Sequence, residues 1–115
     1  MICFQYERTK KMIYINYKEL NPKRELPLMR DNMEKDSYPH QKIISDYLRK
    51  GTIVLAQLSR NKDVFTGELI DTEVLVMTDG EHYWSNQLAY YVDKYNLRLP
   101  AEFEEFILAF GDKAM

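Results

Sequence analysis

The middle of the chain holds a close succession of β-type segments, and this succession constrains the fold more than any other feature. The segments are rich in β-branched and other apolar residues and are joined by short polar links: 52–58, 63–70 and 73–78. Asp79-Gly80 is a dipeptide typical of a two-residue hairpin turn, and a further strand is expected at Glu81–Trp84. The pattern predicts an antiparallel meander.

Helical patterns lie on both sides of this meander. Residues 39–50 place their apolar side chains on one face, with Pro39 in the first turn and Gly51 available as a left-handed cap. A second helix is expected between Ser85, as its N-cap, and Asn96. Its apolar stripe has helical spacing and consists of Leu88, Tyr91, Val92 and Tyr95.

A third helix is expected to begin at Pro100 and to end at Gly111, with a similar stripe of Phe103, Phe106, Ile107 and Phe110. Because the strands are clustered between helices and do not alternate with them, the expected fold class is α+β. The prediction is a single domain over residues 1–115, in which about three helices pack on one face of an antiparallel β-sheet meander. Trp84, which precedes a helix cap, is expected to pack in the core.

The N-terminal third leaves two alternatives open. Residues 2–6 and 12–17 are rich in aromatic and β-branched residues and could form a hairpin through the polar link between them. Alternatively, residues 1–11 are a loosely held extension. Residues 19–37 contain two prolines and many mixed charges, which predicts a long loop or a short irregular helix.

The composition is that of an ordinary globular domain. The chain has 115 residues, of which 45% are hydrophobic and 30% are charged, enough for one independent core. Cys3 is the only cysteine, so no intramolecular disulfide can form, which fits a reducing compartment. The N-terminal apolar stretch is too short for a signal peptide, and no run approaches the roughly 20 apolar residues that span a bilayer. We therefore expect a cytoplasmic protein.

One long stretch of the chain carries charge of a single sign. No lysine or arginine lies between Lys62 and Lys94, but seven carboxylates do: Asp63, Glu68, Asp71, Glu73, Asp79, Glu81 and Asp93. The only tryptophan and several other aromatic residues lie in the same stretch. Such a segment should repel nucleic acid and attract a basic partner.

The sequence holds no pattern typical of catalysis, of a metal site or of cofactor binding. His40 and His82 are the only histidines, and neither has ligand spacing to a partner, so we interpret them as a helix-start residue and a strand-surface residue. The four glycines are isolated and cannot build a phosphate-binding loop. A carboxylate pair, Glu68 and Glu73 on either side of a turn at Asp71, leaves a small enzyme as an alternative.

Nucleic-acid binding is a further alternative, because the N-terminal half carries cations interleaved with tyrosines: Arg8, Lys10, Lys11, Lys18, Lys23 and Arg24. Three glutamates dilute this patch, and the sequence pI of about 5.7 is far below that of a typical nucleic-acid binder. We therefore expect no direct nucleic-acid binding and no membrane partner.

Part of the chain resembles a known family. The residues that carry the resemblance are the run Thr78-Asp79-Gly80-Glu81-His82-Tyr83-Trp84, the run Leu88-Ala89-Tyr90-Tyr91-Val92, Tyr95, Leu99-Pro100 and Glu102-Phe103. They resemble small bacterial immunity proteins that are encoded beside polymorphic toxins, including those of contact-dependent growth inhibition. The resemblance covers roughly residues 51–106 and involves scaffold features: a hairpin turn, a tryptophan anchor, an aromatic helix stripe and a helix start.

The resemblance implies a protein that binds a cognate toxin and blocks it, with no cofactor and no catalytic residue. Such toxins are often nucleases, whose basic clefts an acidic inhibitor can cover. The acidic contacts are then expected to be Glu68, Asp71, Glu73, Asp79 and Glu81, with Asp63 and Asp93 as second choices. A small cytosolic adaptor with another basic partner is the main alternative, and whether the protein is a monomer or a dimer stays open.

Overall fold

In the described part of the chain, four strands form one sheet in the order β1-β4-β3-β2. The structure, a computed structural model, describes residues 12–114, and the side chains of residues 12–111. The strands are β1 (Ile13–Tyr14), β2 (Thr52–Lys62), β3 (Leu69–Thr78) and β4 (His82–Ser85). The sheet is thus dominated by the long β2–β3 hairpin, with β4 and the very short β1 added on one side.

The sheet is mixed and not wholly antiparallel. β2 pairs antiparallel with β3, as in Thr52↔Thr78, and β3 pairs antiparallel with β4, as in Met77↔Trp84. β1 runs parallel to β4, with Ile13 opposite His82. The antiparallel meander is therefore confirmed for β2, β3 and β4, whereas the sheet as a whole is mixed because β1 runs parallel to β4. The long connection from β1 to the other strands permits the parallel arrangement. The predicted hairpin partner, residues 2–6, lies outside the described residues.

The predicted strand at 63–70 is wrong for most of its length, because a tight turn replaces it. The Asp63 carboxylate accepts hydrogen bonds from the backbone N–H groups of Phe65 (2.7 Å) and Thr66 (3.1 Å). Gly67 has a φ of 78° and donates its N–H to the Asp63 carbonyl at 2.8 Å. Asp63 thus binds backbone N–H groups that could otherwise pair with the neighbouring strand. For this reason β2 ends at Lys62 and β3 begins at Leu69.

Three α-helices accompany the sheet, namely α1 (Gln41–Arg49), α2 (Gln87–Tyr95) and α3 (Ala101–Ala114), and a short 3₁₀ turn lies at Arg30–Asn32. The α+β class is therefore confirmed. The long loop predicted at 19–37 is also present, with the 3₁₀ turn within it. Among the described residues, no helix combines the length and the apolar character needed to cross a membrane.

The helix ends follow the sequence prediction only in part. Asn96 ends α2 in the left-handed conformation as expected, with a φ of 57°. Ser85 lies one residue before the N-cap Asn86, but its hydroxyl still accepts the N–H of Gln87 at 3.1 Å. α3 continues through Gly111, so that predicted end is wrong.

Trp84 lies at the centre of the core and is 1% exposed. Its indole N–H donates to the carbonyl of Leu48 at 3.0 Å, which joins β4 to the end of α1. Ring centroids of Phe103 on α3 and Tyr47 on α1 lie 5.5 and 6.0 Å from that of Trp84. The prediction that Trp84 is a core residue is confirmed, and this one side chain connects the sheet with two helices.

Gly51 serves the core by its small size and not as a left-handed cap. The helix is capped by Lys50, whose φ is −91°, and Gly51 is not among the residues with positive φ. A Cβ atom at position 51 would lie 2.8 Å from Cζ2 of Trp84 and 3.2 Å from Cβ of Met77. Only glycine therefore lets the chain pass so close to the indole.

We predict that Gly51→Ala lowers the free energy of unfolding by about 1–3 kcal/mol, because the new methyl group overpacks a filled core. Urea unfolding followed by Trp84 fluorescence measures the change. The neighbouring Lys50→Ala, at an exposed position, serves as the control and should alter stability by less than about 0.5 kcal/mol. Equal stability of Gly51→Ala and the parent would contradict this account of the core.

Candidate protein-binding surface

The β2–β3 hairpin reaches well beyond β4. Only residues 76–78 of β3 pair with β4, so the rest of the hairpin is a two-stranded ribbon. We call residues 58–73, at its far end, the hairpin tip. α2 holds the tip through tyrosine hydroxyls: that of Tyr91 accepts the N–H of Val64 at 2.9 Å. The tip is thus a projecting element anchored on a helix.

Asp63 is the anchor of the hairpin tip, and its side chain is fully buried. Its Oδ2 accepts hydrogen bonds from the hydroxyls of Tyr90 and Tyr95, both at 2.7 Å. Burial raises the pKa of this carboxyl, but the bonds from the two hydroxyls and from the amides of Phe65 and Thr66 outweigh it and lower the pKa to about 2. Asp63 is therefore an ionised internal residue and not a contact for a partner.

Three of the predicted acidic contacts meet at the hairpin tip: Glu68, Asp71 and Glu73. Asp71 and Glu73 are two residues apart on β3 and hence share one face of the ribbon. Glu68 closes the turn with a side chain that is 70% exposed, and Nζ of Lys94 lies 3.6 Å from its carboxylate. Asp71 is exposed and Glu73 is half-buried. The tip thus presents a small group of accessible carboxylates.

Cations lie closer to these carboxylates than the linear sequence indicates. Arg60 and Lys62 are on β2, where Asn61, the residue between them, pairs with Asp71 on β3. Lys94 approaches both Asp63 (3.8 Å) and Glu68 (3.6 Å) from α2. The field of the tip is therefore weaker than the unbroken run of acidic residues predicts, because the Lys94 ammonium group lies beside two of its carboxylates.

Apolar side chains surround the acidic group. Leu58, directly opposite Glu73, is 85% exposed, and the turn adds the partly exposed side chains of Val64, Phe65 and Leu69. A groove of about 340 Å³ runs between β3 and α2. Asp71 lines it together with apolar side chains that include Ile70, Leu75 and Ala89. Exposed apolar and aromatic residues beside carboxylates form the kind of surface that binds other proteins.

The other two predicted contacts lie at the opposite end of β3. Asp79 and Asp71 are eight residues apart, or roughly 26 Å along an extended strand. Glu81 is exposed there, but the Asp79 side chain is fully buried. Oδ2 of Asp79 accepts the Tyr47 hydroxyl at 2.6 Å, and Oδ1 accepts the N–H groups of Glu81 (2.9 Å) and His82 (2.7 Å). Asp79 therefore organises the β3–β4 turn, and the five residues form no single patch.

His82 takes part in the same network, and the prediction that it lies on the strand surface is wrong. It is 5% exposed, and its Nδ1 lies 3.0 Å from Oδ2 of Asp79. Its ring centroid is 4.4 Å from that of Phe103 and 4.9 Å from that of Phe106. The apolar stripe of α3 covers this end of the sheet, which the local strand pattern could not show.

Asp93, the remaining second-choice contact, and the residue types that can bind a metal add little to the candidate surface. Asp93 on α2 is paired with Arg49 at the end of α1, 2.5 Å from its guanidinium, so this charge links two helices. Among the side chains of residues 12–111, no three from His, Cys, Asp or Glu come together in a way that could hold a metal ion. The best-supported surface is therefore the hairpin tip.

We predict that Asp79→Asn destabilises the protein by about 1–3 kcal/mol, because a buried carboxylate that accepts bonds from Tyr47, His82 and the turn is lost. Chemical unfolding at neutral pH measures this. Glu81→Gln, at an exposed position two residues away, should change stability by less than about 0.5 kcal/mol. Equal effects of the two substitutions would contradict the structural role of Asp79.

Asp63 should make stability dependent on pH. Its pKa falls from 3.8 to about 2 on folding, so its ionisation stabilises the fold above about pH 4. This contribution, about 2 kcal/mol, should be lost as the pH falls from about 5 to about 2. Unfolding of the parent and of Asp63→Asn across this range should show a stability difference that shrinks with decreasing pH. A constant difference would contradict the assignment.

Comparisons of the chain with protein-family models, with curated proteins and with solved structures find no match.

Proposed function

We propose that this protein is an immunity protein, which binds a cognate bacterial toxin stoichiometrically and neutralises it. The observation that supports the proposal best is the hairpin tip, where exposed Glu68, Asp71 and half-buried Glu73 lie beside exposed apolar side chains on a projecting ribbon. The resemblance to immunity proteins of polymorphic toxin systems adds the class of partner. The binding site in this proposal consists of Glu68, Asp71 and Glu73, whereas Glu81 is a separate outlying charge.

A basic toxin would be guided to the tip by long-range attraction. Complementary charge increases the rate of association and does so most at low ionic strength. If the toxin is a nuclease, its substrate cleft is basic because it holds phosphates, and an acidic hairpin laid over that cleft excludes the nucleic acid. This function requires no turnover and no cofactor, only a complex that outlasts the encounter with substrate.

The groove beside α2 would serve as an anchor point. A lysine or arginine of the toxin can lay its aliphatic stem on Ile70 and Leu75 while its charge meets Asp71 at the rim. The half-buried setting of Glu73 would strengthen such contacts relative to fully exposed ones. Specificity would then come from the placement of charges, because a toxin with an acidic residue at this point would face repulsion.

A small cytosolic adaptor with a different basic partner is the second candidate, since the same surface would serve it. The two functions differ in one outcome. An immunity protein rescues a host from its cognate toxin, whereas an adaptor binds without conferring protection. Co-expression with the product of the adjacent reading frame of the source genome, followed by native mass spectrometry and host survival, separates them.

We predict that the triple variant Glu68→Lys, Asp71→Lys and Glu73→Lys slows association with the toxin at least about tenfold at low salt and weakens protection of the host. The reason is that the charge of the tip changes from attractive to repulsive toward a basic cleft. Stopped-flow association and survival assays measure the two effects.

The matched control reverses three exposed carboxylates elsewhere, Asp36, Glu102 and Glu105, and so changes the net charge equally. It should protect the host almost as well as the parent protein. Circular dichroism should show that both triple variants are folded. Protection by the hairpin-tip variant equal to that of the parent would overturn the proposed site.

A further inference from the structure

β2 is a long strand at the edge of the sheet. It pairs with β3 on one side, and on its other side no strand lies among the described residues. Its apolar side chains are exposed on both faces, from 54% for Ile53 to 85% for Leu58. In the part of the chain that the structure describes, the opposite edge is formed by β1, which has two residues. An exposed apolar edge strand of this length is a template for pairing with another strand.

The hydrogen bonds of β3 identify which backbone groups of β2 point outward. The N–H of Asn86 donates to the Leu75 carbonyl at 2.9 Å, and the side-chain oxygen of Asn86 accepts the Leu75 N–H at 3.0 Å. Leu75 therefore turns both backbone groups away from β2. In an antiparallel pair, two residues that lie opposite each other either both point their backbone N–H and C=O groups toward the other strand or both point them away from it. Ala56, the partner of Leu75, therefore presents its N–H and C=O to the edge.

The next outward residue is Leu58. It pairs with Glu73, whose carbonyl accepts a hydrogen bond from the Asn86 side chain at 3.5 Å and hence also points away from β2. Bulges interrupt the register between Ile53 and Leu55 and again after Leu58. The regular part of the edge is therefore residues 55–58, which contain no charge and no proline. Charged residues and prolines are the features that usually protect an edge strand from pairing.

We propose that two copies of this protein pair antiparallel through residues 55–58 of β2, with Gln57 on the two-fold axis. Ala56 then lies opposite Leu58 of the partner subunit, and on the other side of the axis Leu58 lies opposite Ala56 of the partner subunit. The outward N–H and C=O groups of these residues exchange four hydrogen bonds. The small Ala56 leaves room for the large Leu58 that faces it, so the surface is self-complementary.

The charges agree with this register. In this register Lys62 of one copy lies opposite Thr52 of the partner subunit, and Arg60 lies opposite Val54 of the partner subunit. Both cations are therefore far from Arg60 of the partner subunit and Lys62 of the partner subunit. A slipped register with Ala56 or Leu55 on the axis would instead place Lys50 directly opposite Lys62 or Arg60 of the partner subunit, which the proposed register avoids.

Sedimentation velocity over a wide range of concentrations tests the proposal. The parent protein should sediment as a concentration-dependent monomer–dimer mixture. Ala56→Pro removes an outward N–H and leaves the β2–β3 ladder intact, so it should raise the dissociation constant at least about tenfold with little change in unfolding midpoint. The matched control Ala101→Pro, at the first position of α3, should still form the dimer.

Leu58→Lys is a second variant that does not depend on tolerance of proline, because this side chain is 85% exposed. It places a charge on the edge and should also be monomeric. Hydrogen exchange adds a local measurement: the amides of Ala56 and Leu58 should become protected as concentration rises, whereas that of Gln57 should be protected at all concentrations. A parent that stays monomeric throughout, or folded Leu58→Lys that dimerises like the parent, would overturn the proposal. This inference does not depend on the proposed function.

Discussion

The burial of Trp84 is the interaction on which the rest of the structure depends. Its indole fills the space between β4, the end of α1 and α3, and its N–H satisfies the Leu48 carbonyl at the end of α1. The close approach at Gly51 lets β2 begin immediately after α1. This junction determines where β2 starts and therefore how far the hairpin projects past β4. A well-packed indole thus positions the hairpin tip, which lies far from it.

Two buried aspartates hold the ends of that hairpin. Asp63 accepts two tyrosine hydroxyls at the tip, and Asp79 accepts one at the β3–β4 turn. In both cases hydrogen bonds lower the pKa of the carboxyl although burial opposes ionisation. Hydroxyl groups of Tyr90, Tyr95 and Tyr47 therefore stabilise the two buried charges. The carboxylates at the hairpin tip that stay accessible to a partner are Glu68, Asp71 and Glu73.

Much of the fold could be predicted from local pattern, and the errors have physical causes. The stripes of α2 and α3 and the Asp79-Gly80 turn follow from spacing and turn chemistry. The strand predicted at 63–70 is wrong because the Asp63 side chain accepts hydrogen bonds from two backbone N–H groups, a turn that its position before Thr66-Gly67 could indicate. Local pattern predicts Gly51 to be a helix cap, because its packing role depends on Trp84, which is distant in sequence.

For the candidate site, the sequence by itself determined which residues are acidic, which are aromatic and that they fall within one stretch between Lys62 and Lys94. Only the tertiary structure decided which of those charges are available. Asp63 and Asp79 are buried beneath tyrosines that come from other elements, and Lys94 of α2 lies beside Asp63 and Glu68. The reason is that charge is a property of a residue, whereas exposure and the nearest countercharge are properties of contacts between segments distant in the chain.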